Sequence, residues 1–165
     1  MENLTALQDV ANKVNNDAVA AGAPNPMYSA HLVEGNDVGG IDVGFLVKTS
    51  RVAVLSVVQE GKDATYTEPG GGMALLNDRP SLVLTANISA PCGGLFPVTV
   101  IVNHLRSLNG IDDPADGARV RAKRRAQAEF LANLIQARMT ANPNEKIVSV
   151  GDYNAFQFMV PIIST

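Results

Sequence analysis

Two polar side chains that suit hydrolytic chemistry, Asp152 and Asn154, follow a short apolar run at residues 147–150. A β-branched run of this length is typical of a strand buried on both faces. If the extended geometry continues, side chains two residues apart point to the same side. A carboxylate beside a carboxamide can orient a water and hold a phosphoryl or carbonyl oxygen. The alternative interpretation is a turn in which both residues bond their own backbone.

A second apolar strand, at residues 96–102, also ends in polar residues, the segment 103–107 that contains His104 and Arg106. An imidazole changes its charge near neutral pH and is therefore suited to proton transfer. A lone histidine at a strand end is also common as a structural residue. The pattern makes His104 a candidate functional residue at a strand end.

Five cations fall within seven residues at the start of a predicted helix, namely Arg119, Arg121, Lys123, Arg124 and Arg125. One interpretation is a solvated helix face, and the other is a patch that contacts phosphates. The formal net charge of the chain is −3, so any contact with a polyanion must be local.

The composition predicts one soluble domain over residues 1–165. A chain of 165 residues, 46% of them hydrophobic, can bury one core. No apolar run approaches the roughly 20 residues that span a bilayer, and the N-terminus lacks the pattern of a signal peptide. The single cysteine, Cys92, excludes an internal disulfide.

Hydrophobic periodicity predicts a mixed order of helices and strands. The predicted elements are a helix at residues 3–14, strands at 27–33, 41–47 and 51–58, a long surface loop at 59–78, a hairpin of strands at 81–88 and 96–102, a helix from 112–114 to 142–143, and a strand from 147. Because hairpins need antiparallel neighbours, this order favours an α/β sandwich over a parallel βαβ fold.

The order of several short motifs resembles that of the deoxyribonuclease-I-like endonuclease/exonuclease/phosphatase family, and most closely its bacterial extracellular nuclease branch. The resemblance extends over nearly the whole chain. The motifs that carry it are Asn-His-Leu-Arg-Ser at 103–107, Gly-Asp-Tyr-Asn-Ala at 151–155, Gly-Ile-Asp-Val-Gly-Phe-Leu at 40–46 and Arg-Pro-Ser-Leu at 79–82.

The resemblance implies an α/β (α+β) fold, a two-layer β sandwich flanked by helices, and metal-dependent hydrolysis of phosphate esters. In this family pattern Asp152 orients and activates the attacking water, Asn154 holds the scissile phosphate, and His104 stabilises or protonates the phosphoryl oxygens. Nucleic acid is the expected partner, with Arg79 or Arg106 gripping its backbone. The expected cofactor is a divalent metal, Mg²⁺ with Mn²⁺ or Ca²⁺ as alternatives, and Glu2 is the candidate ligand.

The same resemblance predicts that this chain is an incomplete domain. The family has a metal-binding glutamate segment, of which Glu2 resembles the tail, and ends in an Asp-His pair that does not follow Asp152 here. Two other functions therefore stay open. One is a phosphatase or sphingomyelinase-like phosphodiesterase, whose substrate preference we would place in the loop at 59–78. The other is an inactive fragment or binding module. Secretion is suggested by the family branch alone.

Overall fold

The computed structural model describes residues 3–91 and 93–155, so Glu2, the predicted metal ligand, and Cys92 lie outside the described residues. The elements follow the order α1, β1 to β7, α2, β8. Their bounds are α1 Leu4–Ala20, β1 Tyr28–Leu32, β2 Gly44–Lys48, β3 Val52–Glu60, β4 Thr65–Thr67, β5 Met73–Leu75, β6 Ser81–Ser89, β7 Leu95–His104, α2 Gly117–Ala141 and β8 Ile147–Asp152. No helix within these ranges is both long enough and apolar enough to cross a membrane.

The largest sheet contains four strands in the order β3, β6, β7, β8. Strand β6 pairs antiparallel with both β3 and β7, and its pairing with β7 confirms the predicted hairpin. The last pair, β7 and β8, is parallel and is joined through α2. A crossover of this length lets the chain return to the same end of the sheet, as a parallel pair requires. The carboxyl ends of β7 and β8 therefore lie side by side.

Alternate residues of β6 face opposite layers, as the two-residue period of a strand dictates. Val83 packs with Leu131 of α2 on one face of the sheet. Leu84 and Ala86 pack with Val47 of β2 on the other face. A helix thus covers one side of the sheet and the β1–β2 hairpin covers the other. The result is a mixed α+β architecture with an open, sandwich-like arrangement, and it confirms the predicted fold class at this level.

The first helix is longer than its sequence pattern predicts. The pair Asn15–Asn16 indicates an end, but the helix continues to Ala20. Asn15 is accommodated because its side chain bonds outside the helix: Nδ2 donates to the Tyr28 carbonyl at 3.0 Å, and Oδ1 accepts from the Tyr28 N–H at 2.8 Å. These two bonds fasten α1 to β1, while Leu7 is buried beneath the helix.

The segment at residues 59–78 contains structure that the prediction of a surface loop missed. It includes the hairpin of β4 and β5, and Tyr66 and Leu76 are buried there. The glycines at its tip, residues 70–72, have open space around them. Strands of three residues are too short to show a period of two, so the glycine-rich composition dominated the pattern.

Helix α2 begins a few residues later than predicted and ends where predicted. Asp113, expected in the first turn, instead stabilises the preceding turn by accepting from the N–H groups of Ala115 and Asp116 at 2.8 and 2.9 Å. The helix starts at Gly117, and Asn142 is its C-cap. The helix therefore spans the distance between the end of β7 and the start of β8.

Gly151 occupies a backbone position that only glycine suits. Its φ is +127°, and a Cβ built there would lie 1.9 Å from the carbonyl oxygen of Asn103 on β7. Backbone atoms cannot yield as a flexible side chain can. Gly151 thus allows the close approach of β8 to β7 next to Asp152.

We expect Gly151→Ala to lower the free energy of unfolding by roughly 3 kcal/mol or more, because it combines backbone strain with a backbone clash. Urea denaturation of both proteins measures the change through the midpoint at constant slope. The control is Gly70→Ala, where an added Cβ meets nothing within 4 Å; it should change stability by less than about 0.5 kcal/mol. Equal effects of the two substitutions would contradict the close approach of β7 and β8.

Candidate active site

His104 and Asp152 are brought together at the ends of two neighbouring strands. They are register partners on β7 and β8. The distance from His104 Nε2 to Asp152 Oδ2 is 3.8 Å, with the imidazole side chain 25% exposed and the carboxylate 63% exposed. This distance is too long for a hydrogen bond but lies within the range of an ion pair when the imidazole is protonated. The two predicted catalytic side chains therefore share one surface of the sheet edge.

Asn154 lies beside this pair, but not through continued extended geometry. Its φ is +48°, so the strand ends and the chain turns. Asp152 Oδ1 accepts from the backbone N–H of Asn154 at 2.8 Å. The Nδ2 of Asn154 donates to the Leu105 carbonyl at 3.0 Å. The extended geometry on which the predicted common orientation depended does not continue. The alternative turn is present for Asp152, whose side chain bonds the local backbone, whereas the Asn154 side chain bonds Leu105.

The turn does not prevent the Asn154 side chain from binding a phosphate. A carboxamide has two N–H donors and one acceptor oxygen. One donor is used on Leu105, which directly follows His104. The Asn154 side chain is thereby held near the imidazole, and within residues 3–91 and 93–155 its second donor has no partner.

Arg79 contacts the backbone of the site at His104 and Leu105. Its Nε donates to the His104 carbonyl at 3.3 Å, and its Nη2 lies 3.4 Å from the Leu105 carbonyl. Its Nη1 forms an ion pair with Asp37 at 3.1 Å, and the Arg79 side chain is 10% exposed. These contacts position His104. The predicted contact between Arg79 and substrate remains a prediction.

Arg106 differs from Arg79 in that its guanidinium has no hydrogen bond or ion pair within residues 3–91 and 93–155. Only its backbone N–H is engaged, donating to Gln127 Oε1 at 2.8 Å. The side chain lines a cleft of about 300 Å³. Of the two arginines predicted to bind substrate, Arg106 is therefore the one with a guanidinium available to a ligand.

The basic segment at residues 119–125 has a divided role that neither sequence interpretation described. Lys123 is buried and pairs with Asp78 at 2.9 Å. Arg124 is buried and donates to the carbonyl oxygens of Arg106 and Asn154. Arg125, by contrast, is 83% exposed and pairs with Glu129 on the same helix. Part of the segment thus holds both strand ends in place, while part is a solvated face.

Gln127 and Asn103 are positioning residues that the sequence reasoning did not assign. Gln127 bridges two segments, accepting from the Arg106 N–H and donating to the Leu76 carbonyl at 3.0 Å. The available signal was its place in the stripe of α2, four residues before Leu131 and seven after Val120, all three of them buried. A polar residue in a buried stripe must find partners, which points to a specific bond.

Asn103 joins three strands through its side chain. Its Oδ1 accepts from Ser81 Oγ on β6 at 2.7 Å. Its Nδ2 donates to Ser149 Oγ at 3.0 Å and lies 3.3 Å from the Val150 carbonyl, both on β8. Asn103 is 1% exposed, so these bonds form away from water, where an unmet polar group costs most. The alignment of β7 with β8, and so of His104 with Asp152, depends on this side chain.

Burial lowers the pKa of His104 below its ordinary value, and the guanidinium of Arg79 lowers it further. The carboxylates of Asp152 and Asp37 act in the opposite direction but are outweighed. The imidazole is therefore neutral at neutral pH, with one nitrogen able to donate and the other able to accept.

The described residues fit a divalent metal only in part. Among residues 3–91 and 93–155, no group of three or more histidine, cysteine, aspartate or glutamate side chains could hold an ion. Asp152 supplies one exposed carboxylate. Mg²⁺ is commonly held by one or two carboxylates together with waters and substrate phosphates. An ion at Asp152 would thus need the substrate, or Glu2, to complete its shell.

Comparison of the chain with protein-family models, with curated proteins and with solved structures gave no significant match.

We expect the titration midpoint of His104 to lie below 6.5, the ordinary value for histidine. Asp152→Asn should lower it further, because it removes a negative charge that favours the imidazolium. Long-range ¹H–¹⁵N NMR spectra recorded against pH measure both midpoints, and His31→Gln assigns the signals because the chain has two histidines. Since folding favours neutral His104, its protonation should begin to destabilise the fold as the pH falls through 6.5 towards the folded-state pKa.

A His104 midpoint above 6.5, or one that Asp152→Asn raises, would contradict the geometry described here.

Proposed function

We propose that this chain carries the site of a metal-dependent phosphodiester hydrolase, most simply a nuclease acting on DNA or RNA. The observation that supports it best is the pairing of His104 with Asp152 at the adjacent ends of β7 and β8, with Asn154 beside them. A proton acceptor, an imidazole and a carboxamide on one exposed edge are the groups that water attack on a phosphate needs.

In the proposed reaction Asp152 accepts a proton from the attacking water, whose oxygen bonds to phosphorus as the bond from phosphorus to the leaving oxygen breaks. The leaving oxygen then takes up a proton from solvent. The Oδ1 of Asp152 is occupied by the Asn154 N–H, while Oδ2 faces the imidazole, so the water would lie against Oδ2. Neutral His104 donates a hydrogen bond to a phosphoryl oxygen as negative charge develops there. The remaining N–H of Asn154 can bind a second phosphoryl oxygen. Each general acid or base of this kind supplies roughly 10²–10⁴-fold in rate.

A divalent metal, when bound, would add Lewis-acid stabilisation of the charge on the phosphate. Of the described residues, Asp152 is the one we assign to it.

We further propose that the fold is a deoxyribonuclease-I-like sandwich. It is supported by contacts that bring two of the motif segments, 40–46 and 79–82, close together next to the backbone of His104. The Gly35 N–H donates to Asp42 Oδ1 at 2.7 Å, and a Cβ on Gly35 would lie 2.7 Å from Pro80. The segments at 40–46 and 79–82 are therefore neighbours, and Arg79 joins them to the backbone of His104.

A binding module without hydrolysis is the second candidate. The specific observation in its favour is how many polar groups near the site already bond the protein itself. Arg79 donates to two backbone carbonyls and pairs with Asp37. Asn154 donates one hydrogen bond, to the Leu105 carbonyl. On this alternative the strand ends bind a phosphate without cleaving it, and substitution of Asp152 leaves no activity to lose.

We expect the purified chain to nick supercoiled plasmid with Mg²⁺ or Mn²⁺ and not with EDTA. Asp152→Asn should reduce the rate by roughly 10²-fold or more, because the proton acceptor is removed. The matched control is Asp9→Asn, which removes one carboxylate from the exposed surface of α1 and should leave the rate unchanged.

Nicking that persists in Asp152→Asn would contradict the assigned role. Absence of nicking by the folded chain, as judged by a cooperative urea transition, would favour the binding module.

A further inference from the structure

The cleft beside Arg106 is separate from the His104–Asp152 pair and has no role in the reaction proposed above. It lies between the N-terminal half of α2 and the segment at residues 36–38. Its basic lining residues are Arg106, Arg119 and Lys123. Its volume of about 300 Å³ is about ten times the ~30 Å³ that a water molecule occupies in the liquid. The cleft can therefore hold a phosphate group with part of its substituent.

Among the described residues, Arg106 is the cleft cation that no carboxylate contacts directly; Asp116 is near enough to interact with its charge but pairs with Arg119. Asp78 is neutralised by Lys123 at 2.9 Å, and Asp37 by Arg79 at 3.1 Å. Arg106 forms no ion pair within the described part of the chain. Because an arginine fork matches the oxygens of a phosphate, the cleft is suited to an anionic group of this shape.

Arg119 can add a second donor to the same ligand. It pairs with Asp116 three residues earlier on the same helix, at 2.7 Å, and both side chains are more than two-fifths exposed. Exposed ion pairs of this kind contribute little, because water competes with them. A phosphate in the cleft could therefore share Arg119 with Asp116 at small cost.

The cleft adjoins the catalytic pair through the backbone. Arg106 follows His104 by two residues, and Arg79 contacts both the His104 carbonyl and Asp37 in the cleft wall. The cleft and the His104–Asp152 pair are therefore built in part from neighbouring residues of one segment, 104–106. Two phosphates of one polymer could then occupy both places.

We propose that the cleft of Arg106 and Arg119 is a second phosphate subsite, which binds a backbone phosphate of the nucleic acid whose reacting phosphate lies at His104. This assignment rests on the proposed function only for the position of the reacting phosphate. It makes the preferred substrate a phosphodiester chain rather than a phosphomonoester.

The test is equilibrium binding of a fluorescein-labelled oligothymidylate, measured by fluorescence anisotropy in EDTA at low salt so that no cleavage occurs. Arg106→Gln should weaken binding by roughly 3–10-fold, and the double variant with Arg119→Gln by more than about 10-fold, as expected for lost phosphate contacts. The slope of log affinity against log salt should fall by about one for each contact removed.

The matched control for charge is Arg125→Gln with Lys13→Gln, which also removes two cations. Both residues are exposed and pair within their own helices. This variant should bind within about 2-fold of the unchanged chain, because each of the two cations is already paired with a carboxylate of its own helix and neither lines the cleft.

Equal losses in the cleft and control variants, or no binding by the unchanged chain, would overturn the subsite. Arg106-dependent binding without any nicking would support the subsite while refuting the proposed hydrolysis. Nicking without Arg106-dependent binding would do the reverse, so the two proposals fail separately.

Discussion

The bonds of the buried Asn103 side chain are the interaction on which the rest of the site depends. They tie β6 to β8 across β7, through Ser81 on one side and Ser149 on the other. A slip of one residue between strands would turn every side chain to the opposite face. A satisfied amide in a water-free position makes a slip of β8 against β7 costly, because the bonds of Asn103 to Ser149 and Val150 would be lost where water cannot replace them. Asn103, the residue before His104, thus fixes the alignment of His104 with Asp152 from within the sheet.

Helix α2 performs a second positioning task with polar rather than apolar side chains. Its buried face includes Lys123, Arg124 and Gln127 beside Val120 and Leu131. Buried charges are costly unless paired, and here each has a partner in a segment that forms the site. The helix therefore orders the strand ends as well as covering the sheet. Burial lowers the pKa of Arg124, but an arginine retains its charge and thus its grip on the carbonyl of Asn154.

Much of the central architecture could be predicted from local patterns. The long apolar strands of the hairpin and the apolar run before Asp152 are strong signals, because their period and length fit no other element. The strand ends themselves were visible as polar residues after apolar runs, but His104 and Asp152 were proposed together only through the resemblance of their motifs to one family. Their close approach could not be derived in that way, since it requires the parallel pairing of β7 with β8.

The errors have a common physical cause, namely tertiary partners that local patterns do not reveal. Asn15 does not end α1, because Tyr28 bonds its side chain. Lys123 and Arg124 are not solvated, because Asp78 and backbone carbonyls receive them. Asn154 leaves the extended conformation in an Asx turn with Asp152, so its orientation could not follow from alternation alone.

The central claim is that His104 and Asp152 act together on one transition state, Asp152 on the attacking water and His104 on a phosphoryl oxygen, and a double-mutant cycle on the nicking rate tests it most directly. The rates of His104→Ala, Asp152→Asn and the double variant would be compared under single-turnover conditions. The account predicts that the double variant is no slower than the slower single variant, because residues that act together lose their effect together. Losses that multiply in the double variant would show two independent groups and contradict the account.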